Sequence, residues 1–373
     1  MLRRSLALAS LSPSLLVLLL ACADDPASDG ASSSETTVTP SESGTHDSSE
    51  AEAEAEAESE TETETSGEEE GCSPETAAGL AACVDRELYL DDLQFIAQPR
   101  EPGSDHWQAV QELCSDRFAE YGFEVELHEY GSGVNVVGRK LGTTAPEQQV
   151  VVAAHYDHIP GCNGADDNGT GTAATLEAAR VLSQRDYPRT LIVACWDEEE
   201  WGLLGAEAYA GLASTNGAEI LFNYNFEMIG YSDDAPGAQS VPAGLDLLFP
   251  EQYAQLESWE FRGDWIALIV DENGLPHAQG MAAHADALGL RYLVLDVPDD
   301  LKNSPLLADL QRSDHAAFWQ VDYPAVMITD TSEFRYDQYH CASGEDAIEL
   351  LDHDFARDVI AASVGGAAES LGL

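Results

Sequence analysis

Residues 149–155, QVVVAAH, are apolar from Val150 to Ala154 and turn polar at His155. A short run of this kind, rich in β-branched residues, fits a strand buried on both faces, as at the centre of a parallel sheet. Two more runs behave alike. Residues 191–195 lead into Asp197-Glu198-Glu199-Glu200, and residues 220–226 lead into Glu227. Further strands are expected at 123–130, 134–137, 265–270, 292–297 and 325–329. Helical spacing marks 107–121 (Trp107, Val110, Cys114, Phe118, Tyr121), then 172–182 and a last helix at 355–371. Strands alternating with helices predict an α/β fold: a three-layer α/β/α sandwich around a mixed, mostly parallel central sheet. Ligands of open α/β sheets bind beyond the carboxyl ends of the strands. Three such ends would deliver polar residues to one crevice.

The rest of the 373-residue chain sorts around this block. Residues 1–21 read as an export signal, with Arg3 and Arg4 ahead of an interrupted apolar run. That run falls short of the roughly 20 apolar residues that span a bilayer. Leu19-Leu20-Ala21-Cys22 resembles a bacterial lipobox, which implies acylation of Cys22 and a cell-envelope lipoprotein, facing the periplasm or on the outer membrane. The alternative is simple secretion. Residues 22–75 are rich in Ser, Thr, Glu and Ala, and between Ala23 and Gly71 there is no Lys, Arg, Phe, Tyr or Trp. Such a segment cannot bury enough apolar surface to offset the entropy of ordering, so a disordered acidic linker is expected. Residues 76–373 are expected to form one domain. The formal charge of −53 argues against nucleic acid and against an anionic membrane face as partners. Membrane contact is expected only through Cys22.

The residues able to carry chemistry are His155-Tyr156-Asp157, Asp166-Asp167-Asn168-Gly169, Glu199-Glu200, Glu227 and His340. Imidazoles and carboxylates suit zinc. Two His and three carboxylates suffice for two ions if one carboxylate is shared, and a further carboxylate can then move the proton. Each piece alone is commonplace, since Asp-Asp-Asn-Gly is an ordinary turn and a Glu run an ordinary helix start. Their joint occurrence, each at or just after a strand end, is not. A serine hydrolase is disfavoured because no Gly-x-Ser-x-Gly elbow occurs. An exporting compartment permits disulfides. Cys195 lies in an apolar run and reads as a buried thiol, whereas Cys162 and Cys341 each flank a candidate ligand and are expected to bond to each other.

AHYDH (154–158), GADDNGTG (164–171), EEWGLLGAEAY (199–209), NFEMIGY (225–231), SDHAAFW (313–319) and YH (339–340) occur in the order of a known motif series. Together they resemble the co-catalytic di-zinc aminopeptidase family, relatives of glutamate carboxypeptidase II and glutaminyl cyclase. REPGS (100–104) and GVNVVG (133–138) resemble that family's upstream segments, so the likeness covers roughly residues 90–370. It implies a zinc-peptidase sandwich hydrolysing N-terminal residues of peptides. It also implies two zinc ions per chain, one on His155 and Glu227, the other on Glu200 and His340, with Asp167 bridging. Glu199 would be the general base, Tyr339 an oxyanion donor, and Asp157 the carboxylate that orients His155. The family pattern Glu-Glu-x-Gly-Leu sets the register of the Glu run. It further implies a cis Asp167-Asn168 peptide. Two positions depart from the family: Glu227 stands where Asp is usual, and Cys341 where Thr is usual. His158, His277, His284, His315 and His353 are expected not to be ligands, with His315 in a supporting role. The segment 232–310 is expected to supply pocket walls. A glutaminyl cyclase or carboxypeptidase on the same fold, and a non-catalytic surface binding lipoprotein, are the alternatives.

Overall fold

The computed structural model describes residues 71–373; the expected export signal, Cys22 and most of the expected linker lie outside the described residues. Residues 72–75 are corrected from linker to domain. Cys72 is disulfide-bonded to Cys83, and Arg185 Nη1 donates to the Pro74 carbonyl at 2.8 Å.

Eight strands make one sheet: β1 Glu124–Tyr130, β2 Gly133–Lys140, β3 Ala145–His155, β4 Arg189–Trp196, β5 Glu219–Phe226, β6 Trp265–Asp271, β7 Arg291–Val297 and β8 Ala325–Thr329. Their spatial order is β1-β2-β4-β3-β5-β8-β6-β7. β4, β3, β5 and β8 run parallel as neighbours, as do β6 and β7. The β1/β2, β2/β4 and β6/β8 pairs are antiparallel. The expected mixed, mostly parallel sheet is present. β2 and β3 outrun their apolar stretches because backbone pairing at Arg139, Lys140 and Ala145 needs no apolar side chain.

The period-2 geometry of a strand divides each apolar run between two cores. On β3, Val150, Val152 and Ala154 face one cluster, and Val151 and Ala153 face the other. The first cluster is covered by helices Arg86–Ile96, Asp105–Glu120, Gly171–Leu182, Leu275–Leu288 and His353–Ser370. The second is covered by Leu204–Thr215, Leu245–Leu248, Pro250–Ser258 and His315–Trp319. This is the three-layer α/β/α sandwich. Helix Asp105–Glu120 begins two residues earlier than apolar spacing suggests, because Ser104 Oγ accepts the Trp107 amide at 3.1 Å and caps it. Among the described residues no helix is long and apolar enough to cross a membrane.

The parallel neighbours position the site. β4 stops at Trp196, β3 at His155, β5 at Phe226 and β8 at Thr329, all at the same edge of the sheet. Adjacent strands lie about 4.8 Å apart, so residues that follow these ends come within side-chain reach of one another.

Phe222 on β5 is fully buried, edge-on to Tyr224 at 4.7 Å and stacked on His277 at 4.8 Å. Phe222→Ala is expected to destabilise the domain by about 3–5 kcal/mol, as large core truncations do. Leu247→Ser, at an 81% exposed position, is expected to change stability by less than about 0.5 kcal/mol. Urea midpoints of the two variants, side by side, check the contrast.

Candidate metal centre

The loop after β3 and the turn that carries Asp167 are fastened together before any side chain reaches the site. Thr172 Oγ1 donates to the His155 carbonyl at 2.6 Å. Arg100, fully buried, donates to the carbonyls of Tyr156 (2.9 Å), Asn163 (2.6 Å), Gly164 (2.8 Å) and Asp167 (3.1 Å). Asp346 accepts the amides of Asp166 (3.0 Å) and Asp167 (3.1 Å). Asn168 Nδ2 donates to the Phe226 carbonyl at 2.9 Å, and its Oδ1 accepts the Met228 amide at 3.1 Å, so the Asp167 turn is stitched to the end of β5 on both sides of Glu227. The Asp167-Asn168 peptide is cis, as the family resemblance implies.

Two groups of donor atoms result. In the first, His155 Nε2 lies 3.5 Å from Asp167 Oδ1 and 3.4 Å from Glu227 Oε2. In the second, His340 Nε2 lies 3.2 Å from Asp167 Oδ2 and 3.1 Å from Glu200 Oε2. Asp167 thus turns one oxygen to each group. His158, read from sequence as outside the set, also stands at the second group: its Nδ1 is 2.8 Å from Glu200 Oε1 and 3.9 Å from Asp167 Oδ1. Its imidazole occupies one Glu200 oxygen and leaves the other facing His340.

The residues fit a cation. His155 Nε2 is buried without a hydrogen-bond partner, and three carboxylates lie within 4.0 Å of it. Among the described residues no Lys or Arg side chain pairs with Asp167, Glu199, Glu200 or Glu227. Burial opposes charge on both imidazoles, yet the acids prevail. Glu199 and Glu227 hold His155 well above its usual range, and Asp167 and Glu200 push His340 up to about 10. Burial raises the Glu199 carboxyl well above the ordinary carboxylate range, and Glu227 beside it raises it further. A buried pocket this rich in carboxylate oxygen and imidazole nitrogen is a donor set for zinc.

The carboxylate of Asp157 does something the sequence does not foretell. It accepts the amides of Glu199 (3.0 Å) and Glu200 (3.3 Å), which fixes the turn after β4. His155 Nδ1 bonds instead to the Asp157 carbonyl at 3.3 Å, with the carboxylate at 3.5 Å. One residue therefore orients the imidazole through its backbone and the Glu pair through its side chain.

Sequence reasoning missed the residues just before His315. Ser313 Oγ donates to Glu227 Oε2 at 2.6 Å and accepts from Asn225 Nδ2 at 2.8 Å. Arg312 Nη2 donates to Tyr339 Oη at 3.1 Å. Asp314 is fully buried with both carboxylate oxygens unpartnered, and burial pushes its carboxyl well up. The Ser-Asp-His motif was the available signal, but attention to its histidine misdirects. His315 bonds to the Leu310 carbonyl at 2.9 Å, and burial lowers it to about 4.

His340 lies in a short turn, with Tyr339 stacked on it at 3.9 Å between ring centres. The expected Cys162–Cys341 disulfide is present and ties this turn to the loop after β3. Cys195 is a buried free thiol, as expected. Beside Glu227 and Tyr339 opens a cavity whose lining is largely apolar, with Leu245, Leu256, Ala267, Ile269, Leu293 and Leu295 among its walls. Segment 232–310 does supply most of it, joined by residues after Met327.

Fold and site together define an α/β sandwich with a candidate metal centre at the carboxyl ends of its parallel strands. Residues 135–260 match the model of Peptidase family M28. Through this segment, which holds His155, Asp167, Glu199, Glu200 and Glu227, the chain is related to that family; Tyr339 and His340 come from beyond it. The chain is 32% identical over 206 residues to the uncharacterized protein YfbL of Escherichia coli (strain K12), covering 51% of this chain and 58% of that protein. It is 28% identical over 214 residues to a probable zinc metalloprotease of Leptosphaeria maculans, covering 55% and 48%. The chain spans about half the length of these curated relatives. The LapA aminopeptidase of Legionella pneumophila shares the fold, with a TM-score of 0.60 over 80% of this chain and 75% of that one at 17% identity.

The Cys162–Cys341 bond closes a loop of 179 residues. Replacing both cysteines with Ala is expected to cost about 2–4 kcal/mol, the usual range for a native disulfide. Thermal melts of the variant under non-reducing conditions test this; an unchanged midpoint would show that Asp346 and Arg100 hold the loop unaided.

Proposed function

We propose that the protein is an exported two-zinc aminopeptidase selective for peptides with a bulky apolar N-terminal residue. The observation that carries this reading is the division of Asp167, one carboxylate oxygen to the His155–Glu227 group and the other to the Glu200–His340 group. His155, Glu227 and Asp167 would hold one ion, and Glu200, His340 and Asp167 the other. Zinc, when bound, supplies Lewis-acid polarisation of the scissile carbonyl and a lowered pKa for the attacking water.

The chain's own groups do the rest. Glu199 lies beside the first group, 4.0 Å from His155 Nε2 and mostly buried. It takes the proton of the attacking water and hands it to the leaving amine. Tyr339 Oη, at the cavity wall, donates to the carbonyl oxygen as negative charge develops there. The excess of carboxylates favours a free α-ammonium group over a blocked terminus. The apolar cavity next to Glu227 receives the first side chain. At the other end of the chain, acylation of Cys22 would hold the domain at the cell envelope on an acidic tether. Mass spectrometry of the mature N-terminus reads that directly, and an unmodified terminus, at Cys22 or elsewhere, excludes it.

Glu199→Gln is expected to lower kcat by about 10²–10⁴, the usual worth of a general base, while zinc stays at two per chain. Near-normal turnover in that variant would remove Glu199 from the mechanism. Chelation should abolish activity and added zinc restore it. On a panel of aminoacyl substrates, leucyl and phenylalanyl compounds should exceed glycyl and glutamyl ones in kcat/KM. Turnover confined to N-blocked or N-terminal glutaminyl peptides would overturn the aminopeptidase reading.

A further inference from the structure

Arg312 has no part in the functions assigned above, yet it lies at the cavity wall against the tyrosine proposed to donate to the substrate. Its Nη2 donates to Tyr339 Oη at 3.1 Å, and its guanidinium carbon lies 5.6 Å from the centre of the Tyr339 ring. Nη1 is braced from the other side by the carboxylate of Glu333. All three residues line the cavity that opens beside Glu227. The following residue, Ser313, is fully buried and bonds to Glu227 and Asn225, so the backbone that carries Arg312 is anchored at the site.

A phenolic oxygen has one hydrogen to give and can also accept. A free tyrosine hydroxyl can turn that hydrogen in either direction, and a carboxylate neighbour would capture it. A guanidinium has only donors and keeps its charge throughout the working pH range. Next to Arg312, Tyr339 Oη must therefore accept, and its single hydrogen is left for another acceptor. The positive charge beside the oxygen also draws electron density from the O–H bond and strengthens it as a donor.

We propose that Arg312 is a positioning residue that commits the Tyr339 hydroxyl to donate to the substrate carbonyl oxygen. The inference rests on the two-zinc aminopeptidase reading and on Tyr339 as oxyanion donor. Arg312 acts through Tyr339, not on the substrate, so its effect should belong to the transition state and should vanish once the hydroxyl is gone.

A double-mutant cycle on the zinc-loaded full chain tests this, with leucyl p-nitroanilide as substrate and zinc content measured for every variant. Tyr339→Phe is expected to lower kcat by about 10²–10³, the loss typical of one oxyanion donor. Arg312→Met should lower kcat at least tenfold with KM within threefold, and Arg312→Lys, which keeps the charge and a donor, should recover part of that loss. The double variant Arg312→Met/Tyr339→Phe should be no more than about twofold slower than Tyr339→Phe alone, as expected of residues acting as one unit. The proposal is overturned if the two losses multiply, if Arg312→Met raises KM and leaves kcat intact, or if Tyr339→Phe keeps full kcat. Failure of the underlying reading looks different: Glu199→Gln would stay active, or the unmutated chain would bind fewer than two zinc ions.

Discussion

Arg100 is fully buried and forms no ion pair among the described residues; its guanidinium is occupied by backbone carbonyls on both sides of the Asp167 turn. Burial of an unpaired cation is costly unless other charges compensate it. Here the compensation comes from Asp167, Asp346, Asp157 and Glu200, which push back against the lowering that burial imposes on the guanidinium. The dependence is mutual. The carbonyls of Tyr156, Gly164 and Asp167 meet Arg100 in buried contacts, and a buried carbonyl without a donor costs about as much as a lost hydrogen bond. One side chain thus closes the loop that bears Asp157, His158 and Asp167, and it supplies positive charge beneath a crowded set of acids.

A second acid layer works from the opposite direction. Asp346 accepts the amides that precede Asp166 and Asp167, while Arg100 takes the Asp167 carbonyl. The main chain at Asp167 is thereby held at both its donor and its acceptor, and its carboxylate faces His155 and His340. Behind it Asp166 accepts the Gly230 amide and the Thr170 hydroxyl, and Asp330 accepts the Tyr231 amide. Burial pushes both of these carboxyls up, Asp330 to about 6. The polar groups around Asp167 answer one another, and helix Arg86–Ile96 adds apolar packing against the turn through Leu93 and Ile96.

Much of this was legible in the chain. Runs 149–155, 191–195 and 220–226 are central strands because full burial on both faces demands unbroken apolar character, and polarity returns where each strand leaves the sheet. Helix Arg86–Ile96 was not legible, since RELYLDDLQFI carries charges through its exposed face and depends on an Asp85 cap and on Tyr89, Leu93 and Ile96 packing inward. The place of His158 beside Glu200 was not legible, because a histidine three residues past a strand end shows nothing of its direction until Arg100 folds the loop. Arg312 and Ser313 escaped for a related reason. Their partners, Tyr339 and Glu227, are distant in sequence, and only the adjacency of β5 and β8 brings the segments together.

Glu227 illustrates how the surroundings absorb a departure from a family pattern. A glutamate reaches about one methylene further than the usual aspartate, and an unguided longer arm would lose precision through its extra rotamers. Three contacts remove that freedom. The Glu227 amide donates to the Ile328 carbonyl at 2.9 Å, Ser313 Oγ fixes one carboxylate oxygen at 2.6 Å, and His155 Nε2 faces the same oxygen at 3.4 Å. Asn225, two residues back on the same face of β5, in turn holds Ser313. The longer side chain is therefore seated by the strand that leads into it, through a serine from the segment that precedes β8, the neighbour of β5. The same serine places Arg312 beside Tyr339, so the fit of Glu227 and the orientation of the tyrosine are set by one short stretch of chain.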